Sequence, residues 1–253
     1  GAARRGGAGT GTNERAPTAR SMGRCEAMNW TEYDGLLLDH DGVLVELLDR
    51  DHITAGLREH GEPRLADLGV DLDPVLLDAF QVGADAGEIR ALADRYGVDP
   101  TALWRCRDDA IETALHAATR NGEKPPYDDV DALTALDVPR GVVSNNQRRI
   151  VEFVLETHDL RSLFDTVQAR DPTLASLDRK KPAPTYLEAA MAALDIEHPL
   201  YVGDSESDVV AADRANVDVA FLRRPHNADS SLSRGPTYEV SGLDEIVAAA
   251  QFG

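Results

Sequence analysis

Lysine is almost missing from this chain: Lys124, Lys180 and Lys181 stand against 23 arginines. Basic charge as a whole is also short, since 26 Lys and Arg face 45 Asp and Glu for a formal net charge of −19 over 253 residues. So acidic a chain repels phosphate backbones, and no nucleic-acid partner is expected. Acidity combined with scarce lysine resembles proteins of very salty cytoplasms, where dissolved ions screen the self-repulsion of the surface. A GC-rich coding sequence would favour arginine in the same way. Cysteine is nearly absent too: Cys25 and Cys106 make neither a disulfide framework nor a metal cluster, which suits a reduced, cytoplasmic protein. No apolar run approaches the roughly 18 residues of a membrane span, so no membrane partner is expected. Residues 1–28 carry five arginines and no apolar core, matching neither a signal peptide nor a packed element. They read as a disordered tail, with Met28 a natural start for the folded part.

What is present begins near residue 34, where short apolar runs alternate with amphipathic stretches. That is the pattern of an α/β domain on a parallel sheet. Candidate strands are residues 35–38, 140–143, 165–168, 199–203 and 217–222. Between the first two lie about a hundred residues punctuated as helices. Asp73-Pro74 and Asp99-Pro100 each offer an N-cap followed by proline at the first helical position, and Asn121-Gly122 offers a stop. Residues 122–129, "GEKPPYDD", read as a linker. The expected architecture is a Rossmann-like core formed by residues 29–50 and 126–253, interrupted by an all-helical cap at residues 51–125. An insert after the first strand lies over the strand ends, where ligands bind in open α/β sheets.

Three of those strand ends carry polar groups. "GLLLDHDGVLVELL" at 35–48 ends an apolar run in Asp39 and Asp41, which face one way in extended chain while His40 faces elsewhere. Two carboxylates so close call for a divalent cation, a shared proton or both. An ordinary turn also favours Asp and Gly at a strand end. "YVGDSESD" at 201–208 adds Asp204 and Asp208, positions that also suit a helix N-terminus. Taken together, the four carboxylates suit Mg²⁺. In "GVVSNN" the strand ends in Ser144, followed by Asn145: a hydroxyl and free backbone N–H groups where a strand leads into a helix and a phosphate could be cradled. In "RKKPAPTY", two of the three lysines stand side by side. An ammonium is a compact point charge, and its retention here suggests a carboxylate or phosphate to meet.

These motifs, Asp39-His40-Asp41-Gly42-Val43-Leu44, Ser144, Lys181-Pro182 and Gly203-Asp204 with Asp208, resemble in order and placement the haloacid dehalogenase-like hydrolase superfamily. The resemblance spans residues 33–222, and "KPAPTYLEAAMAAL" is similar to its phosphoglycolate phosphatase-like members. His40 and Val43 depart mildly from the usual pattern. The resemblance implies Asp39 as a nucleophile forming an aspartyl-phosphate and Asp41 as general acid and base. It further implies Mg²⁺ held by Asp39, Asp41 and Asp204, with Asp208 orienting a metal-bound water. Ser144, Asn145 and Lys181 would bind the phosphoryl oxygens of a small phosphorylated metabolite. A phosphotransferase or sugar-phosphate mutase keeps the same motifs. A phosphorylated-aspartate receiver is shorter and lacks the insert, and a silent binding protein would have lost at least one motif. Arg105, Arg107 and Lys124 are cations of the insert that could meet an anionic substrate, although a solvated helix face accommodates them too. Monomer and homodimer both stay open.

Overall fold

The computed structural model describes residues 28–82 and 84–252. The expected tail falls outside the described residues except for Met28, which packs against the core. Strand β1, Gly35–Leu38, is buried at every position. A strand read as one continuous apolar run belongs in the middle of a parallel sheet covered on both faces, and β1 pairs in parallel with β2, Arg140–Gln147, and with β4, Pro199–Gly203. Strands β3, Thr166–Arg170, β5, Asp218–Leu222, and β6, Tyr238–Val240, complete a six-stranded parallel sheet in the order β3-β2-β1-β4-β5-β6.

The strand alternation feeds two cores. Leu36 and Leu38 join the larger one, with Ile150 and Val154 of helix α6, Arg148–Thr157, and Leu243 and Ile246 of helix α9, Leu243–Phe252. Leu37 points the other way, toward Tyr186 and Leu187 of α7, Thr185–Leu194, and Val209 of α8, Glu206–Ala215. The chain winds β1, β2, β3 toward one edge and then returns to place β4 beside β1. The order reverses between β1 and β4, which opens a crevice outside their carboxyl ends.

Two strands differ from the sequence reading. β2 runs four residues past Val143, because β3 goes on pairing with it, Ser144 opposite Ala169 and Gln147 opposite Arg170, across an irregular register. Ser144, Asn145 and Asn146 thus sit in the bulged end of a strand. β6 was not expected: three edge residues are too few to show a period.

Between β1 and β2 the chain is helical. α1, Arg50–Gly56, continues through a wide turn at Leu57–Gly61 into α2, Glu62–Ala66. Then come α3, Pro74–Val82, α4, Ala86–Tyr96, and α5, Pro100–Arg120. Asp73 and Asp99 accept from the main-chain N–H of Leu76 and Ala102 at 2.9 and 2.8 Å, which caps α3 and α5. Asn121 and Gly122, the latter at φ +76°, end α5. The two connections to the sheet lie against each other: Glu46 N–H donates to Pro125 O at 2.9 Å and Tyr127 N–H to Leu44 O at 3.1 Å.

Candidate active site

Asp39 follows β1 directly, and its N–H extends the ladder to Val202 O at 2.9 Å. Its carboxylate accepts from its neighbour's N–H, that of His40, at 2.7 Å and lies 2.8 Å from Lys181 Nζ. The same ammonium stands 2.7 Å from Asp208 and donates to Tyr201 Oη at 2.9 Å. Tyr201 in turn donates to Asp208 at 2.6 Å. Lys181 arrives from the loop before α7, and Asn145 fixes it there. The Asn145 amide accepts from Lys181 N–H at 2.7 Å and donates to Lys181 O at 3.1 Å. Both polar ends of the Asn145 side chain are therefore engaged with main chain, although the residue lines the adjoining cavity.

Asp204 and Asp208 close the other side. Asp208 is fully buried; besides Tyr201 and Lys181 it accepts from the Asp204 and Ser205 N–H groups and from Ser205 Oγ. Its carboxylate thus sets the backbone that presents Asp204. Two glycines permit the approach. Gly42 has φ +80°, and a Cβ there would collide with Asp204 Oδ2. A Cβ on Gly203 would overlap the Asp208 side chain.

Asp39, Asp204 and Asp208 each bring one oxygen within 4.8 Å of the others. Burial, opposed by Lys181 and reinforced by Asp208 and Asp204, pushes Asp39 well above the usual carboxylate range. Burial and the Asp208 charge push Asp204 up to about 7. Asp208 goes the other way, because Lys181, Ser205 and Tyr201 outweigh its burial. For Lys181, burial disfavours the charge, but Asp208 and Asp39 overcome it and raise its pKa. Three acids around one ammonium leave an excess of negative charge that a divalent cation would neutralise. Hard oxygen donors in a buried cleft fit Mg²⁺.

Asp41 stands apart from that triplet. Lys124 Nζ lies 2.5 Å from one of its oxygens and Asn146 donates to the other at 3.0 Å. Burial pushes the Asp41 carboxyl up, but Lys124 and His40 prevail and hold it well below the ordinary range. Lys124 also donates to Glu46 O at 2.8 Å, so it ties both connections of the helical insert to Asp41. His40 is fully buried, its Nδ1 3.3 Å from Asp41, and burial lowers its pKa. The imidazole is buried beside Asp41. Ser144, 1% exposed, accepts from Asn146 N–H at 3.0 Å.

The sequence names Lys124, Arg105 and Arg107 as cations of the insert without fixing their places, and it does not mark Asn146, His226 or Asn227. Lys124 is 1% exposed, not a cation on a helix face. Arg105 is exposed beside Asp109, while Arg107 lines the cavity. His226 and Asn227, on a short turn after β5, hold Asp204: the His226 ring lies 2.6 Å from its carboxylate and Asn227 donates to its main-chain oxygen at 2.8 Å.

Comparison with known proteins gives the family. Residues 108–222 match the model of a family described as haloacid dehalogenase-like hydrolase. A phosphoglycolate phosphatase of Cereibacter sphaeroides is 32% identical over 208 residues, 74% of this chain and 84% of that protein. The chain belongs to the haloacid dehalogenase-like hydrolases. Pyrophosphatase PpaX of Oceanobacillus iheyensis is 33% identical over 124 residues, which span 48% of this chain and 56% of that relative. Among solved structures, CbbY from Rhodobacter sphaeroides in complex with phosphate aligns with a TM-score of 0.63 over 87% of this chain and 100% of its own. At 19% identity that likeness shows the fold, a six-stranded parallel sheet with helices. No helix among the described residues is long and apolar enough to cross a membrane.

Proposed function

We propose that the protein is a Mg²⁺-dependent phosphatase acting on a small phosphorylated metabolite of the phosphoglycolate or sugar-phosphate kind, through an aspartyl-phosphate. The observation that carries this reading is Asp39 at the end of β1, held by Lys181 and flanked by Asp204 and Asp208. Asp39 attacks phosphorus, a new O–P bond forms, and the bond to the leaving oxygen breaks. Lys181 and the Ser144 hydroxyl receive the phosphoryl oxygens, and such fixed donors supply a large part of the stabilisation of the transferring group. Asp39, Asp204 and the Asp41 segment would hold Mg²⁺, with Asp208 fixing the backbone that presents Asp204. When bound, the ion offsets the carboxylates that would otherwise repel phosphate.

Asp41 handles the protons. Ionised beside Lys124, it is ready to take one from the water that opens the acyl-phosphate. To donate one to the leaving alkoxide it must first be protonated, which release from Lys124 favours. Since Lys124 joins both connections to the helical insert, we assign residues 51–125 the role of a cap whose movement reaches Asp41 through this lysine. The test is hydrolysis of an aryl phosphate in Mg²⁺ or EDTA, in the high salt that suits so acidic a chain. Turnover that needs Mg²⁺ and is lost in Asp39→Asn supports the reading. Activity that survives either change refutes it.

A further inference from the structure

Beside Asp41 lies a cavity of about 300 Å³ that the catalytic acids do not fill. It is lined from the site by Asp41 and Asn146, and from farther off by Trp104 and Arg107 of α5, Arg170 at the end of β3, and Lys180 in the loop before α7. A group leaving the phosphorus under the reach of Asp41 would extend into this space. At roughly 30 Å³ per water, the cavity holds on the order of ten waters, enough for a leaving group of a few heavy atoms.

In a chain this acidic, the charge around the cavity is unusual. Arg170 gives two N–H groups to Asp108 at 2.8 and 2.7 Å, and Arg107 donates to the same carboxylate at 3.0 Å. One fully buried carboxylate thus answers two guanidinium groups. Trp104 fixes both, since their central carbons lie 5.0 and 5.5 Å from its ring centroid. Lys180 is the third cation. It donates to Ala84 O at 3.4 Å, and burial together with Arg170 and Arg107 lowers its pKa to about 8, against the attraction of Asp108 and Asp85. The acid that faces the cavity from the other side, Asp41, already has Lys124 as its counter-ion. Three cations that line one small cavity form a receptor for an anion.

We propose that this cavity binds the leaving group and that Arg107, Arg170 and Lys180 select phosphate esters whose leaving group carries a second anionic group, a carboxylate or a phosphoryl. The inference rests on the phosphatase reading above. It is tested with the Mg²⁺-loaded enzyme by comparing kcat/KM for three esters of primary alcohols: ethyl phosphate, 2-phosphoglycolate and 1,2-ethanediol bisphosphate. The wild type should prefer one of the two doubly anionic substrates over ethyl phosphate by about tenfold or more, and the preferred one tells carboxylate from phosphoryl. Lys180→Gln and Arg107→Gln should each cut that preference severalfold, and Lys180→Arg should keep most of it. All three substrates are measured on one preparation, so loss of folded enzyme cancels from the ratios. An enzyme that turns over aryl and ethyl phosphate with no preference for the second anion overturns this inference alone. So does a preference left intact in the variants, which would make the cluster only a tether between α5 and β3. Absence of Mg²⁺-dependent hydrolysis of every ester overturns the phosphatase reading and this inference with it.

Discussion

Replacing Lys181 by methionine keeps a side chain of similar length but removes the one ammonium set between Asp39 and Asp208, at 2.8 and 2.7 Å. The lysine and Asp208 side chains are 2% and 0% exposed, so water cannot take over. Removing one partner of a buried pair costs about 3–5 kcal/mol, because the other charge stays buried without compensation. For a chain of this size each kcal/mol is worth about 2–4 °C, so a fall in Tm of roughly 6–20 °C is expected. The pH dependence follows from the two acids. In the wild type Asp208 is depressed, so it contributes stability above the unfolded value near 3.9, and that contribution is lost as pH falls through its folded pKa. Asp39 is raised, so it costs stability once pH exceeds about 3.9, a cost that Lys181 limits. Without Lys181 both carboxyls move up. The deficit of the variant is therefore largest at pH 7 to 8 and closes toward pH 4. Thermal unfolding of both proteins in EDTA across that range measures it. A deficit below about 1 kcal/mol at neutral pH, or one that does not change with pH, would refute the claim that Lys181 holds Asp208 ionised and limits the rise of Asp39.

Asp204, with a pKa of about 7, keeps a proton in the folded metal-free protein that the unfolded chain has lost above about 3.9. It lowers stability as pH rises through that window, and Mg²⁺ must displace its proton below 7. The Tm increase caused by Mg²⁺ should accordingly be larger at pH 8 than at pH 6; equal increases would count against Asp204 as a ligand. Gly42→Ala should reduce kcat by about a hundredfold or more, because a Cβ at φ +80° would push against Asp204. A wild-type rate in a folded Gly42→Ala protein would show that the two strand ends need not be so close. Lys124→Met should destabilise by about 3 kcal/mol and raise the pKa of Asp41, which a carboxyl NMR titration would follow. An unmoved Asp41 would mean that the 2.5 Å contact does not set its charge.

The parts of this site that could be read in the sequence are those whose chemistry is local. Apolar runs that stop abruptly in acid mark Asp39 and Asp204, since a buried strand and its polar end lie within a few residues. The parts that could not be read depend on contacts between distant segments. His226 sits in an ordinary loop, and nothing nearby announces that its ring meets an acid 22 positions earlier. Asp108 shares a run of two acids on α5 with Asp109, a pattern that normally faces water. It is buried only because β3 brings Arg170 against it. Likewise, the apolar run of β2 ends at Val143, but pairing with β3 carries the strand on to Gln147.

Lys124 looks like a case of the second kind, with its acid 83 positions away. Yet a local signal was there. The scarcity of lysine makes each retained lysine informative, and that argument applies to all three rather than only to the adjacent pair. Lys181 meets Asp39, Lys124 meets Asp41, and Lys180 lines the cavity beside them. Elsewhere the exposed acids are met by arginine, as Arg50 meets Asp78 and Arg234 meets Asp213. An exposed ion pair contributes little and tolerates either cation, so it can drift to arginine without loss. The buried slot of Lys181 does not tolerate the exchange, because the wide planar fork of arginine does not fit where one compact ammonium sits between two acids. Two of the three lysines thus fill buried slots against the site's acids, which is why so scarce a cation marks the chemistry of this chain.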